Sequence, residues 1–249
     1  MWAKERWDAR WRVAILNPIG WILALSFPFL FSVIKLQPAP DMPKAVIPLL
    51  QYPNMAFGWF GEDLPELLLL YVIIWAIAQI AREWQTGTIE FLGQLPLTAA
   101  QIAWRKGLWG TAEISGLSII SSAVLWFGSL AAGHTLPAAT FWLSTMLITT
   151  GFIAMLWFAS LCAWVLHSTY AVILAVLAIY VGSLITRTSR SLHRFSPLTY
   201  ITNSNPSMHT AVLWVHLAGV IAAAVLLAYL AVRAAAQQEL ISNHGRDQL

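Results

Sequence analysis

Charge is what this chain has least of. Only 10% of its 249 residues are Asp, Glu, Lys or Arg, while 59% are hydrophobic and the mean hydropathy is +0.68. A soluble domain carries roughly 25% charged residues. So few charges cannot cover a water-facing surface, which argues against an ordinary soluble enzyme and for a chain that faces lipid. Cysteine is nearly missing too. Cys162 stands alone, which excludes an intramolecular disulfide and a cysteine-built metal site. No lysine follows a glycine: the four follow Ala3, Ile34, Pro43 and Arg105. A P-loop needs Gly directly before its Lys, so any ATP hydrolysis is expected on another chain. No histidine precedes a glutamate; the six precede Thr, Ser, Arg, Thr, Leu and Gly. That removes the H-E-x-x-H zinc protease, and the G-x-S-x-G elbow is missing as well. No catalytic residue and no metal site is assigned. The basic pI of about 9.2 comes from residues scattered beside apolar runs, not from a patch suited to nucleic acid.

What is present is tryptophan, 14 in all, a residue enriched at membrane interfaces, and a series of apolar runs. The sequence predicts an all-α, polytopic membrane protein with six transmembrane helices. Residues 1–16 read as an amphipathic interfacial helix. Ala3, Trp7, Trp11 and Ala14 form its apolar face, and Glu5, Asp8 and Arg12 lie on another. The membrane domain covers 17–233. Its spans fall at about Pro18–Leu36, with Pro28 predicting a kink, Asp63–Ala81, Gly107–Ala132, Pro137–Leu161, Thr169–Thr186 and Thr210–Arg233. Five prolines over 37–62 predict a loop without regular helix through most of its length. Asp63 is the expected N-cap of the second span, with Pro65 and Glu66 in its first turn. Residues 187–209 read as a polar connection and 234–249 as a polar cytoplasmic tail.

Basic residues set the orientation. With a cytoplasmic N-terminus, nine (Lys4, Arg6, Arg10, Arg12, Arg82, Arg105, Lys106, Arg233 and Arg246) are inside. Five (Lys35, Lys44, Arg187, Arg190 and Arg194) are outside, in line with the positive-inside rule. A five-span alternative would bring the last three inside and put the tail outside. Both termini are therefore expected in the cytoplasm.

Residues 83–106 read EWQTGTIEFLGQLPLTAAQIAWRK, too polar to span a bilayer yet patterned. Ile89, Leu92 and Leu95 make an apolar ridge at helical spacing, and Pro96 stops it. Thr98 and Gln101 have capping-box spacing, so a new helix is expected to start at Thr98 and lead into the third span. The pattern Glu83, Gly87-Thr88, Glu90, Leu92, Pro96 and Lys106 resembles the cytoplasmic loop of ABC-2 type permeases, the membrane subunits of a class of ABC exporters. The amphipathic N-terminal segment and the span order are similar to that family as well. The resemblance implies a coupling helix between spans two and three, resting on an ABC ATP-binding subunit that carries ATP and Mg. It also implies a second permease chain, in a homodimer or heterodimer, and export by alternating access of an amphipathic or lipophilic substrate across the cell membrane. No cofactor is expected in this chain; membrane lipid is its other partner. The rivals are a membrane-embedded enzyme and a passive anchor.

Two features remain. Glu113, about two turns into the third span, is an ionisable group at membrane depth, which marks either a pathway or gate or an interfacial pair with Arg105 or Lys106. Gly107, Thr111, Ser115, Ser118 and Ser122 form one small, polar stripe, expected to face protein, as a translocation path or as simple helix packing. His209 and His216, seven apart, could share a helix face and bind a ligand, or be packed polar residues.

Overall fold

The computed structural model describes residues 2–34, 51–78, 97–189 and 191–246. They are helical, with no strand among them. The helices are α1 (Trp2–Ile34), α2 (Tyr52–Gly61), α3 (Asp63–Ala76), α4 (Ala99–Ala131), α5 (Ala138–Leu166), α6 (Thr169–Thr188), α7 (Pro197–Ile201) and α8 (Thr210–Arg246). Four are long and apolar enough to span a membrane: α4, α5, α6 and α8 as far as Gln238, with mean hydropathies of 1.7, 1.9, 2.1 and 2.4. These correspond to the last four expected spans.

α5 is the hub. It packs against α3, α4, α6 and α8, and 56% of its most apolar stretch is buried within the chain, against 22% for α8. Close approach is bought with glycine, as expected where packing of small residues replaces a hydrophobic driving force. A Cβ on Gly107 would lie 2.0 Å from the Trp157 ring of α5, and one on Gly110 2.6 Å from Trp75 of α3. Gly107→Ala is therefore expected to destabilise the bundle by about 1–3 kcal/mol, the usual cost of overpacking. Gly116→Ala meets nothing within 4 Å and should be neutral or stabilising by about 0.5–1 kcal/mol through helix propensity. Paired thermal melts in detergent check the difference.

α1 is one continuous helix through Pro18 and Pro28, where the sequence reading separates an interfacial segment from a span. Its buried stripe is Arg12, Leu16, Gly20 and Ala24, one residue every four. Gly20 sits where α1 crosses α3 and α4, since a Cβ there would reach Ser121 and Leu67 within 2.8 Å. Arg12, expected on the polar face, is buried, because the stripe that meets α4 is the one that carries it with the small residues.

Of 37–62, expected to be loop through most of its length, 37–50 lie outside the described residues. Tyr52–Gly61 is helical, with Pro53 in its first turn, where the missing N–H would have had no partner anyway. Phe57 and Phe60 of this helix meet Phe141 of α5 edge to face. Only one residue separates α2 from α3, so Glu62, not Asp63, is the N-cap, and it makes no side-chain cap bond. Pro65 and Glu66 are in the first turn as expected.

The two tight turns follow local chemistry. Gly133 takes φ +79° after α4, a region favoured by glycine. His167 ends α5 at φ +52°, and Ser168 caps α6 by accepting from the Ala171 N–H at 3.4 Å. That places the break between the fourth and fifth expected spans at 167–168.

The connection after α6 is not a simple polar loop. Ser196, Leu198, Ile201, Thr202 and Asn203 are buried, forming a hook that includes α7. Ser196 Oγ donates to the Ser183 carbonyl at 2.6 Å, and Asn203 Nδ2 donates to Ser144 Oγ at 2.9 Å. Ile201 presses on Gly151. α8 then runs the length of α5 and continues helical to Arg246, through what the sequence reads as a tail.

Candidate functional site

Thr98 caps α4 as its spacing predicts. Its hydroxyl accepts from the Gln101 N–H and its own N–H donates to the Gln101 side-chain oxygen, both at 3.2 Å. This reciprocal box satisfies two donors that a helix start leaves open. α4 then runs unbroken for 33 residues, about 50 Å at the standard rise. The end of the 83–106 segment is thus the first two turns of a single long rod. Lys106 is buried there, and Trp104 packs on Trp157 with centroids 5.8 Å apart. Glu83, Gly87, Thr88, Glu90, Leu92 and Pro96 lie outside the described residues.

Fourteen residues beyond Ala99, about 21 Å along the rod, Glu113 is held from two other helices. Arg12 of α1 donates through Nε to Oε2 at 3.1 Å and through NH2 to Oε1 at 2.9 Å. Tyr71 of α3 donates its hydroxyl to Oε2 at 2.5 Å. Both charged side chains are only 6% exposed. A fork-on-carboxylate pair is among the stronger polar contacts because both bonds are charge-assisted and geometrically matched. Here it joins α1, α3 and α4 at one point. Glu113 is thus at a junction of three helices, and its partner is neither Arg105 nor Lys106. A basic residue on what looked like the solvated face of an amphipathic helix gave no sign of this role. The usable signal was its place in the four-residue stripe with Leu16, Gly20 and Ala24.

The small-residue stripe of α4 faces protein. Gly107 lies under Trp157, Ser118 Oγ and Thr149 Oγ1 of α5 share a hydrogen bond of 2.6 Å, and Ser122 is buried. Ser115 is half-buried and donates back to the Thr111 carbonyl at 2.8 Å, a local bond that satisfies a hydroxyl inside an apolar helix. Ser118 and Ser122 are thus both buried within the chain. Nearer the end of the same helix, Ser129 and Tyr52 share a hydrogen bond of 2.5 Å, and the Tyr52 ring stacks on His134 at 4.0 Å. His216 packs edge to face on Tyr200. No group of three or more metal-capable side chains occurs among the described residues.

Compared with family models, with curated proteins and with solved structures, the chain finds no match.

Proposed function

We propose that this chain is the membrane permease subunit of an ATP-driven ABC-2 type exporter. The observation that carries the reading is the 83–106 segment, with Glu83, Gly87-Thr88, Glu90, Leu92, Pro96 and Lys106 in family order. Support comes from its mechanical setting, a capped helix start at Thr98 leading without interruption into α4. A rod of that kind transmits displacement, whereas a flexible loop dissipates it.

In this reading there are six spans: the second half of α1, α3 with the residues that follow it, α4, α5, α6 and α8. Both termini are cytoplasmic and the cell membrane is the site of action. A separate ATP-binding subunit holds ATP and Mg, and two permease chains, alike or different, enclose the pathway. Closure of the ATPase pair pushes the 87–95 helix, and α4 moves with it. Because Glu113 ties α4 to α1 and α3, those helices move as one unit and access alternates from inside to outside. An apolar chain with few charges suits amphipathic or lipophilic cargo.

The test is affinity purification of the tagged chain from its native membrane. A P-loop ATPase is expected to co-purify in equal amount, with ATP hydrolysis in the complex. A chain that purifies without any ATPase, alone or with a soluble enzyme it merely anchors, overturns the proposal.

A further inference from the structure

α6 and α8 flank α5, and the gap between them is a cleft of about 270 Å³. Its floor is Gly151, Met155 and Phe158 of α5, its walls Ile179 of α6 and Gly219 and Ala223 of α8. The hook closes one end with Pro197, Tyr200 and Ile201. Small residues make the space: Gly219 has nothing within 4 Å of where a Cβ would be. The three helices that bound it are all long and apolar enough to span a membrane, so a cleft that opens sideways between them opens onto hydrocarbon.

At the hook the chemistry changes. Thr199, next to Tyr200, lines a second cavity of about 340 Å³ together with Arg187, Ser189 and His193. Arg187 is in the last turn of α6 and also donates to the Gly61 carbonyl at 3.3 Å, which fixes its position. Arg194 is exposed in the short 3-10 turn His193–Phe195, and its carbonyl accepts from the Tyr200 hydroxyl at 2.7 Å. Ile179 is eight residues, about 12 Å of helix, below Arg187. One molecule with an anionic head and an apolar tail matches both places at once.

We infer that this is a binding site for an anionic glycerophospholipid, with one acyl chain in the α5–α6–α8 cleft and the phosphate at Arg187 and His193, beside Thr199, whose hydroxyl donates to the His193 carbonyl at 3.0 Å. Lipid tails are as apolar as the cleft wall, so tail burial alone gives little preference. The selectivity resides in the basic ledge, as in other basic pockets at the ends of membrane helices. The inference rests on the membrane-spanning character of α5, α6 and α8, not on the ATPase partnership, and its test needs no ATP.

The full chain is reconstituted in nanodiscs that contain phosphatidylglycerol or phosphatidylcholine with a photoactivatable acyl chain, and labelled peptides are mapped. Label is expected on cleft residues of α5 and α8. Phosphatidylglycerol should exceed phosphatidylcholine by about fivefold, the factor that one basic residue near a charged surface supplies. Arg187→Gln should remove that preference. Gly219→Phe or Ala223→Leu should remove cleft label while Phe127, exposed on α4, stays labelled by both lipids. Gly116→Phe, outside the cleft, should change nothing. Equal cleft labelling by the two lipids, or cleft label that survives Gly219→Phe and Ala223→Leu, overturns the site. So does a crosslink from the cleft to a second copy of the chain.

Discussion

Replacing Arg12 with alanine is expected to destabilise the bundle by about 3–5 kcal/mol, the cost of leaving a buried charge without its partner. The Glu113 carboxylate is only 6% exposed, so water cannot take over from the guanidinium, and the Tyr71 hydroxyl supplies one hydrogen bond but no charge. Arg12→Lys keeps the charge and loses the fork that meets both carboxylate oxygens; it should recover part of the loss, because a lysine is a point charge and not a bidentate donor. Arg12→Met with Glu113→Gln removes both charges and should be far milder than Arg12→Ala, since a paired buried charge costs desolvation that the neutral pair avoids. Denaturant titrations of the wild type, Arg12→Met, Glu113→Gln and the double variant in one detergent give the coupling energy from a double-mutant cycle. A loss below about 1 kcal/mol for Arg12→Ala would match an exposed ion pair and would remove the three-helix junction from the mechanism.

The second large effect concerns the coupling segment. If the chain couples to an ATPase as proposed, Glu90→Ala, or Ile89→Pro in the segment expected to be helical over 87–95, lowers transport-coupled ATP hydrolysis by at least about tenfold, a loss equivalent to about 1.4 kcal/mol of transition-state free energy. Membrane insertion should be unchanged. Proline would break the expected 87–95 helix by removing a donor and clashing with the preceding turn, whereas Glu90→Ala would leave the segment without a carboxylate to pair with a basic group on the ATPase. The two variants therefore separate two requirements: Ile89→Pro should uncouple even if the ATPase still binds, and Glu90→Ala should weaken binding itself. Normal transport in both would sink the coupling role.

The parts of the fold legible in the sequence were those written in local chemistry. Thr98 with Gln101 announced a helix start, and the last four apolar runs match the four helices that can span a membrane. What was not legible depended on which face meets which. Pro53 looked like a helix breaker because composition does not say that it falls in a first turn. Arg12 looked solvated because its neighbours Glu5 and Asp8 are acidic, and only the packing of α1 on α4 turns it inward. Residues 196–203 looked like a polar connection because Ser196, Thr202 and Asn203 are polar, yet each makes a hydrogen bond that lets it be buried. Glu113 was singled out correctly as an unusual charge, but its partners lie 101 and 42 residues away in the chain, beyond the reach of spacing.

The hook also imposes an order on biogenesis. Its anchors are Ser183 on α6 and Ser144 on α5, so it cannot close until both helices have left the insertion machinery and come together. α8 emerges after the hook and lies along α5. The nascent protein therefore keeps one flank of its central helix uncovered until α8 is made. A ribosome that stops before residue 210 leaves a product whose hub is open to quality-control proteases, and α8 is the piece that covers it.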